Sequence, residues 1–593
     1  MLRRLTDVAK KGLIPIADWH MACTSYGMNR NALLGTLLVA QLSSITASGA
    51  DAQISQELLK STATEMDVIL VYHDNDDSSS RAQRDEKVKA FGGRNLRHFQ
   101  NTGIGTLTAN RPLLDELKKD SKIRFIAPDR KISSTATGSA TYDQIEVRTV
   151  QGMSSSTTQT GTGVGVAVID SGVNPLVGFG TTGACSTSRI VYSQNFASDS
   201  GTNDLYGHGT HVASILGSNA SCDASYSTSV APGVKIINLR VLNAFGIGTD
   251  SSVIAAIDRA VALKNTYNIR VINLSLGRPV YDSFVNDPLC QAVERAWNAG
   301  IVVVAAAGNM GRYPTTNGYA TIASPANDPL VITVGAVRDP ANGLANSRTD
   351  DTIASYSSKG PSLVDHVVKP DLVAPGNLMV ARTVFPSTLT NLLPGNVTTF
   401  TGNSGSFFKL SGTSMAAPVV AGAAALLIQK DPQMTPDQVK ARLMKTAWKG
   451  MAATAAIYDA VTATTYNVQQ DLFTVGAGYL NISAALASTE KIGATKSAIS
   501  PRAVMQTNGI VYLTSTYTNG NLNNLSVVWG ESTTWATSVV WGESVLLANN
   551  VVWGDSVVWG ANVSSGFSVV WGESVVWGES VAFPLVATGS GDN

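Results

Sequence analysis

Between residues 141 and 490, short apolar runs alternate with segments of helical periodicity, and this alternation constrains the fold more than any other feature. The runs are nearly continuous in valine, isoleucine and alanine, which is typical of strands buried on both faces of a parallel sheet. They occupy residues 164–169, 234–242, 269–276, 301–306 and 330–337. We therefore predict an α/β domain with a doubly wound, mostly parallel sheet, in which functional groups gather where strands end and helices begin.

A smaller unit precedes this domain. Residues 66–131 follow the order strand, helix, strand, helix, strand, which predicts a small α+β sandwich of the split βαβ type. Residues 133–140 are small and polar, and they predict an exposed linker that a protease could cut.

The first fifty residues predict an export signal. Arg30 precedes a short apolar run at 32–40, and residues 50–52 fit a small-x-small cleavage pattern. The run is shorter than the ~20 residues that span a bilayer, so we expect no transmembrane segment in the mature form. Met21 and Met28 are alternative initiators because a signal usually starts closer to its apolar run. An amphipathic cytosolic N-terminus is the competing interpretation.

The C-terminal part is polar and then repetitive. Residues 491–526 are rich in Asn, Thr and Ser and predict a linker. From residue 527, hexads such as VVWGES recur with Trp in the third place, and an extended chain would put these rings on one face. The repeat therefore predicts β-structure. A short solenoid, strands on the preceding domain and a sticky disordered tail remain alternatives.

These features divide the chain into five parts. We predict a targeting segment (1–52), a small unit with its linker (53–140, core 66–131), the large domain (141–490), a connection (491–526) and the repeat tail (527–593).

Charge and cysteine content narrow the possible functions. The 43 basic and 43 acidic residues cancel, so no basic excess points to nucleic acid. None of the four cysteines forms a C-x-x-C pair, which argues against a structural zinc site. Cys185 and Cys222 could form a disulfide in an exported protein, or they could be small buried hydrophobic residues.

Two polar residues, one at the end of a predicted strand and one at the start of a predicted helix, could supply the acid and the base that nucleophilic catalysis needs. Asp170 ends the apolar run at 164–169, and a buried carboxylate there needs a partner. His208 lies between two glycines, at the start of a predicted helix. His211 follows three residues later, but metal-binding helices usually space histidines by four, so we interpret it as structural.

Two further segments supply a hydroxyl and an amide. Asn309 follows the apolar run at 301–306, and its amide could donate to a developing negative charge. Ser414 falls in the first turn of a predicted helix of small residues, whose positive end stabilises an oxyanion. Taken singly, each of these residues could instead be a cap or turn residue.

Together the four segments resemble the subtilisin-like serine proteases of family S8. D-S-G after a strand, G-H-G-T-H, A-A-G-N and G-T-S-M-A-A-P-x-V-A-G occur in the order of that family, across about residues 141–490. The resemblance implies Ser414 as nucleophile, His208 as general base and acid, and Asp170 as the group that orients the imidazole. It also implies Asn309 as part of the oxyanion hole.

The resemblance also implies how substrate binds. One wall of the cleft would be formed by Ser275, Leu276 and Gly277. The opposite wall would be formed by Phe245, Gly246, Ile247 and Gly248. The first specificity pocket would be lined by Ala306, Ala307 and Gly308. Main-chain pairing would make the specificity broad, with an apolar or aromatic preference before the cut.

Residues 66–131 resemble the inhibitory propeptide (I9 type) of the same family. This implies a secreted, self-processing precursor, whose partners are protein or peptide substrates and its own propeptide. We expect a monomer that needs no cofactor for its chemistry and is released or retained at the cell surface. The family often binds calcium, but no D-x-D-x-D-G loop is present, so a calcium site stays unassigned.

Two other classes of protein remain as alternatives. A binding or surface protein could keep a protease fold and use its tail for adhesion, although all four motifs are intact. An autotransporter is disfavoured, because the region after residue 490 is too short and repetitive for a membrane barrel.

Overall fold

The computed structural model describes residues 51–74, 76–134, 159–180, 187–219, 229–340, 348–398, 407–459, 462–493, 497–505, 511–514, 552–553 and 570–571. The predicted export signal, Cys185, Cys222 and nearly all of the hexad tail lie outside these ranges.

The strands of the described residues are β1 Gln53–Ile54, β2 Glu65–Tyr72, β3 Arg94–Phe99, β4 Ile104–Asn110, β5 Ile123–Pro128, β6 Lys131–Ser134, β7 Gly165–Asp170, β8 Ile190–Asn195, β9 Lys235–Arg240, β10 Ile247–Thr249, β11 Ile269–Leu274, β12 Leu276–Gly277, β13 Val302–Ala306, β14 Ile332–Arg338, β15 Thr352–Ile353, β16 Leu372–Pro375, β17 Met379–Arg382, β18 Val397–Thr398, β19 Phe407–Leu410, β20 Thr454–Asp459, β21 Thr464–Gln469, β22 Arg502–Met505, β23 Val511–Thr514, β24 Val552–Trp553 and β25 Val570–Trp571.

The helices are α1 Gln56–Lys60, α2 Ser78–Ala90, α3 Arg111–Leu117, α4 His208–Gly217, α5 Asp250–Ala262, α6 Lys264–Tyr267, α7 Pro288–Asn298, α8 Thr388–Leu392, α9 Thr413–Lys430, α10 Pro436–Thr446, α11 Leu472–Val475 and α12 Ile482–Ala487. Short 3-10 turns occupy Val177–Phe179 and Pro394–Asn396.

The large domain is built on a parallel sheet, as the apolar runs predict. Its strands lie in the order β15-β14-β13-β11-β7-β9-β8, with β16 also paired to β14. All of these pairings are parallel except that of β14 with β15. Helix α9 lies in the core, where it contacts β11, β13 and β14, because its small apolar residues allow close approach. The α/β prediction is confirmed.

The N-terminal unit is a five-stranded sheet in the order β1-β5-β2-β4-β3. The predicted strands and helices are present, and β2 is buried almost throughout. The sequence pattern predicts one extended segment where the structure has two strands, β3 and β4, which pair as an antiparallel hairpin. The N-terminal unit also supplies β6, which leaves its sheet and pairs with β10 and β12 of the large domain.

The prediction that residues 491–526 form a linker is wrong for the part of this segment that the structure describes. Ala498, Ile499 and Ser500 are buried against the large domain. The Ser500 N–H donates to the Pro329 carbonyl at 2.9 Å, and the Val368 N–H donates to the Pro501 carbonyl at 2.8 Å. This segment is therefore part of the large domain, because distant residues satisfy its polar groups.

Little of the tail is described. Val552–Trp553 pairs in parallel with Val570–Trp571, so Trp553 lies opposite Trp571, three hexads further along the chain. These four residues form β-structure, which is compatible with the solenoid alternative, and β-structure in the tail as a whole stays a prediction. The other hexads lie outside the described residues.

Candidate active site

Asp170 and His208 meet at the carboxyl edge of the sheet. Asp170 is the last residue of β7, and His208 is the first residue of α4. Asp170 Oδ1 lies 2.7 Å from His208 Nδ1, and both side chains are fully buried. Such a carboxylate holds the ring with Nδ1 protonated and leaves Nε2 as the free acceptor on the side of the ring away from Asp170.

The glycines beside His208 are required by the geometry. Gly207 caps α4 with φ +98°, a backbone conformation that side chains rarely adopt. A Cβ at Gly209 would overlap the carbonyl oxygen of Gly172. The G-H-G sequence therefore allows the start of the helix to pack directly against the strand that carries Asp170.

A second buried aspartate, Asp204, orders this turn. Asp204 Oδ1 accepts hydrogen bonds from Ser171 Oγ at 2.8 Å and Gly207 N at 2.7 Å. Its Oδ2 accepts from Thr210 N at 2.8 Å. Burial raises the pKa of Asp204, and these hydrogen bonds act against that rise. No local sequence pattern marks Asp204, because its role depends on contacts with the turn around His208.

Ser414 is the second residue of α9 and is held by a reciprocal contact with Ser275. Ser414 Oγ donates to the Ser275 carbonyl at 2.9 Å, and Ser275 Oγ donates to the Ser414 carbonyl at 2.8 Å. Pro418 has no N–H to donate to the Ser414 carbonyl within the helix, so Ser275 supplies a donor in its place. Among the described residues, buried His208 Nε2 has no hydrogen-bond partner.

Asn309 is linked to the residue before Ser414. Its Oδ1 accepts hydrogen bonds from Thr413 N and Thr413 Oγ1, both at 3.0 Å. Thr413 Oγ1 in turn accepts from Gly308 N at 3.1 Å. Because the amide oxygen faces Thr413, the amide nitrogen points away from it. The loop after β13 is thus joined to the N-terminus of α9.

The two predicted walls of the cleft enclose a strand of the same chain. Ser133 of β6 lies opposite Ile247 on one side and Gly277 on the other. Ser134 lies opposite Leu276. Ser133 and Ser134 therefore belong to this strand, not to an exposed linker as predicted. Residues 135–140 lie outside the described residues.

The residues predicted to line the first pocket lie beside this cleft. Ala306 and Ala307 are fully buried, and Gly308 has φ +108°. A Cβ at Gly308 would lie 2.9 Å from Ser358 Oγ, and a Cβ at Gly277 would lie 2.9 Å from the Cβ of Ala323. The wall formed by Ala306, Ala307 and Gly308 carries no charged side chain. Phe245 differs from the other predicted cleft residues because 70% of it is exposed.

His211 has a structural position, as predicted. It is fully buried, and its Nε2 lies 2.9 Å from the Phe408 carbonyl. Burial, together with nearby His208, lowers the pKa of His211 to about 3, so its imidazole is neutral at physiological pH. Among the described residues, no group of three or more His, Cys, Asp or Glu side chains could hold a metal ion. A calcium site therefore stays unassigned, and no chemical step below passes through a metal.

Comparison with known proteins identifies this architecture. Residues 161–478 match the subtilase family. Serine protease AprX of Bacillus subtilis (strain 168) is 36% identical over 361 residues, which cover 58% of this chain and 73% of that protein. The extracellular serine proteinase of Thermus sp. (strain Rt41A) is 34% identical over 350 residues, covering 58% of this chain and 71% of that protein.

A solved structure supports the fold. Fervidolysin from Fervidobacterium pennivorans, a keratinolytic enzyme related to subtilisin, aligns with TM-score 0.53 at 21% identity and covers 74% of this chain and 63% of that one. At this identity the likeness concerns the fold alone. The family match covers more than half of the chain, and the chain is therefore a member of the subtilase family and a serine endopeptidase.

Proposed function

We propose that the chain is a secreted endopeptidase, made as a self-inhibited precursor, whose catalytic triad is Asp170, His208 and Ser414. The observation that carries the proposal is the buried 2.7 Å contact between Asp170 Oδ1 and His208 Nδ1. The contact lies in the domain whose candidate nucleophile, Ser414, is in the first turn of the core helix α9.

The proposed chemistry is acyl transfer. Ser414 Oγ leaves the Ser275 carbonyl and attacks the peptide carbonyl, while His208 Nε2 takes its proton. The imidazolium returns that proton to the leaving amine, and Asp170 stabilises the charge. Water then hydrolyses the acyl-enzyme through the same base. No cofactor takes part.

The oxyanion of the tetrahedral intermediate would be bound by two donors. One is the Asn309 amide nitrogen, whose orientation follows from the two hydrogen bonds that Thr413 gives to Asn309 Oδ1. The other is the Ser414 backbone N–H, at the positive end of α9. Both donors are held before the reaction starts, which is the condition for efficient electrostatic stabilisation.

Contacts between the N-terminal unit and the large domain support inhibition by a propeptide. Strand β6 fills the cleft that substrate would occupy. Asp129 accepts hydrogen bonds from Ser251 N at 2.9 Å and Ser251 Oγ at 2.5 Å, at the start of α5. Asp258 of the same helix accepts from Asn101 N at 2.8 Å. A segment docked in this way excludes other peptides until it is cut and released.

Self-processing is tested with Ser414→Ala. The variant should accumulate as uncut precursor, while the unaltered chain is cut within or near residues 133–140. Mass spectrometry of the two proteins measures this directly. Normal processing of the variant would show that another protease cuts the precursor.

The proposed specificity is broad, with an apolar or aromatic residue before the cut. The uncharged wall of Ala306, Ala307 and Gly308 supports it, as does main-chain pairing on both sides of the cleft. A peptide-library profile measures the preference. A profile dominated by Arg or Lys before the cut would contradict it.

Secretion is supported by the apolar run at residues 32–40 and by the extracellular relative in Thermus. We expect the mature protein, a monomer, in the medium or at the cell surface. Sequencing the N-terminus of the exported protein, with sedimentation analysis, tests location, maturation site and monomeric state.

A further inference from the structure

We propose that the distal end of the substrate groove is a subsite for a substrate arginine, formed by Asp282 and Tyr281 of the large domain. The inference rests on the proposed function, because it treats residues 130–134 as occupying the path of a substrate. It adds a charged determinant to a cleft that otherwise pairs with main chain.

Arg130 marks the position of this subsite. It directly precedes β6, and it lies four residues before Ser134, which pairs with Leu276. The Asp250 N–H donates to the Arg130 carbonyl at 2.9 Å, so the backbone at this point is already docked on α5. A substrate that follows β6 would place its own side chain where the Arg130 side chain lies.

The surroundings of Arg130 are complementary to a guanidinium. Only 7% of Arg130 is exposed. Its Nη2 donates to Asp282 Oδ2 at 2.5 Å, and its guanidinium carbon lies 4.9 Å from the centre of the Tyr281 ring. A planar cation between a carboxylate and an aromatic face is a geometry that arginine adopts better than lysine.

The charge balance leaves Asp282 available for a ligand. The neighbouring carboxylates of Asp250 and Asp287 are fully buried and share Arg278, with contacts from its Nε to Asp250 at 2.8 Å and its Nη2 to Asp287 at 2.7 Å. In the part of the chain that the structure describes, the cationic partner of Asp282 is Arg130.

Release of the N-terminal unit would remove this partner. Glu57, which accepts from Arg130 Nε at 2.8 Å, would leave together with Arg130. The large domain would keep three carboxylates, those of Asp250, Asp282 and Asp287, and one guanidinium, that of Arg278. The vacated subsite therefore carries net negative charge beside the face of Tyr281, and a substrate arginine restores the lost ion pair.

The test compares internally quenched peptides that differ at one position. Each peptide places Arg, citrulline, Ala or Glu four residues before the residue that aligns with Ser134, with cleavage sites verified by mass spectrometry. Citrulline keeps the shape of arginine and removes its charge. With active-site-titrated enzyme produced from the full chain, the Arg peptide should have a kcat/KM about five- to thirtyfold above the citrulline peptide.

Variants assign this preference to Asp282. Asp282→Asn should bring the Arg-to-citrulline ratio close to one, and Asp282→Lys should favour a Glu peptide over the Arg peptide. Asp258→Asn is the matched control, because Asp258 lies on α5 and contacts Asn101 instead of the groove. It should leave the ratio unchanged. The ratio does not depend on how much precursor matures.

The outcomes separate this proposal from the proposed function. Equal cleavage of the Arg and citrulline peptides by the unaltered enzyme would overturn the subsite and leave the protease intact. A preference that persists in Asp282→Asn would also overturn it. Failure of the folded protein to cut any peptide would instead overturn the proposed function. If the Asp282 variants do not mature, the comparison of the Arg and citrulline peptides with unaltered enzyme still tests whether the arginine subsite exists.

Discussion

Replacing Ser275 with alanine should lower both stability and turnover, although Ser275 is not a member of the proposed triad. Its Oγ donates to the Ser414 carbonyl at 2.8 Å and accepts from Asn273 Nδ2 at 2.9 Å. The substitution leaves the Ser275 backbone carbonyl in place but removes this hydroxyl. The Ser414 carbonyl then loses a donor that Pro418 cannot replace.

The size of the effect follows from the burial of these groups. Ser275, Asn273 and Ser414 are all fully buried, so water does not replace the lost partner. Leaving a buried polar group unsatisfied costs about 1–3 kcal/mol. Because Ser414 would also be less firmly placed, we expect kcat to fall about 10- to 100-fold with little change in KM.

Urea unfolding measures the stability change. It is best measured on the Ser414→Ala background, which removes autolysis but keeps the backbone carbonyl of residue 414. The midpoint should fall by about 0.3–1 M with an unchanged slope. Ser214→Ala is the matched control: Ser214 is also buried, but its Oγ has no hydrogen-bond partner among the described residues. If both variants unfold at the same urea concentration, the reasoning about the Ser275–Ser414 contact is wrong.

Three further outcomes are expected. Asp170→Asn should lower kcat by about 10⁴ in steady-state assays, because the imidazole loses its oriented tautomer; a loss below tenfold would contradict the role of Asp170. Ser500→Ala should destabilise the protein by about 1.5–3 kcal/mol in urea, since Ser500 Oγ donates to Asp371 and accepts from Lys440; no change would mean that residues 497–505 are a dispensable connection. His211 has a pKa of about 3 when folded, so unfolding takes up a proton below about pH 6.5 and this contribution to stability is lost as the pH falls. His211→Gln should therefore be less sensitive to acid than the unaltered protein, by about 1.4 kcal/mol per unit between pH 6 and 4; parallel pH profiles would contradict this.

Local patterns in the sequence predict the core elements of the large domain. The apolar run at residues 164–169 corresponds to β7, which ends at Asp170. Helix α7 begins at Pro288, because Asp287 caps it and proline suits the first position of a helix. Periodicity and caps act over a few residues, so they can be read without knowing the fold.

Contacts between distant residues could not be predicted in the same way. The polar segment at 497–505 looks like a linker by composition, yet Lys440 and Asp371 satisfy Ser500 in the interior. The motifs indicate Asp170 and His208 as partners, but not the contact of Ser275 with Ser414 or that of Arg130 with Asp282. Those contacts depend on how strands and loops are brought together by the fold.

The most direct test of the catalytic assignment is labelling with an organophosphonate that reacts with activated serines. We expect one label per mature molecule, located on Ser414 by peptide mass spectrometry, and a large loss of labelling in His208→Ala. Labelling of another serine, or no labelling of correctly folded mature protein, would contradict the proposed triad.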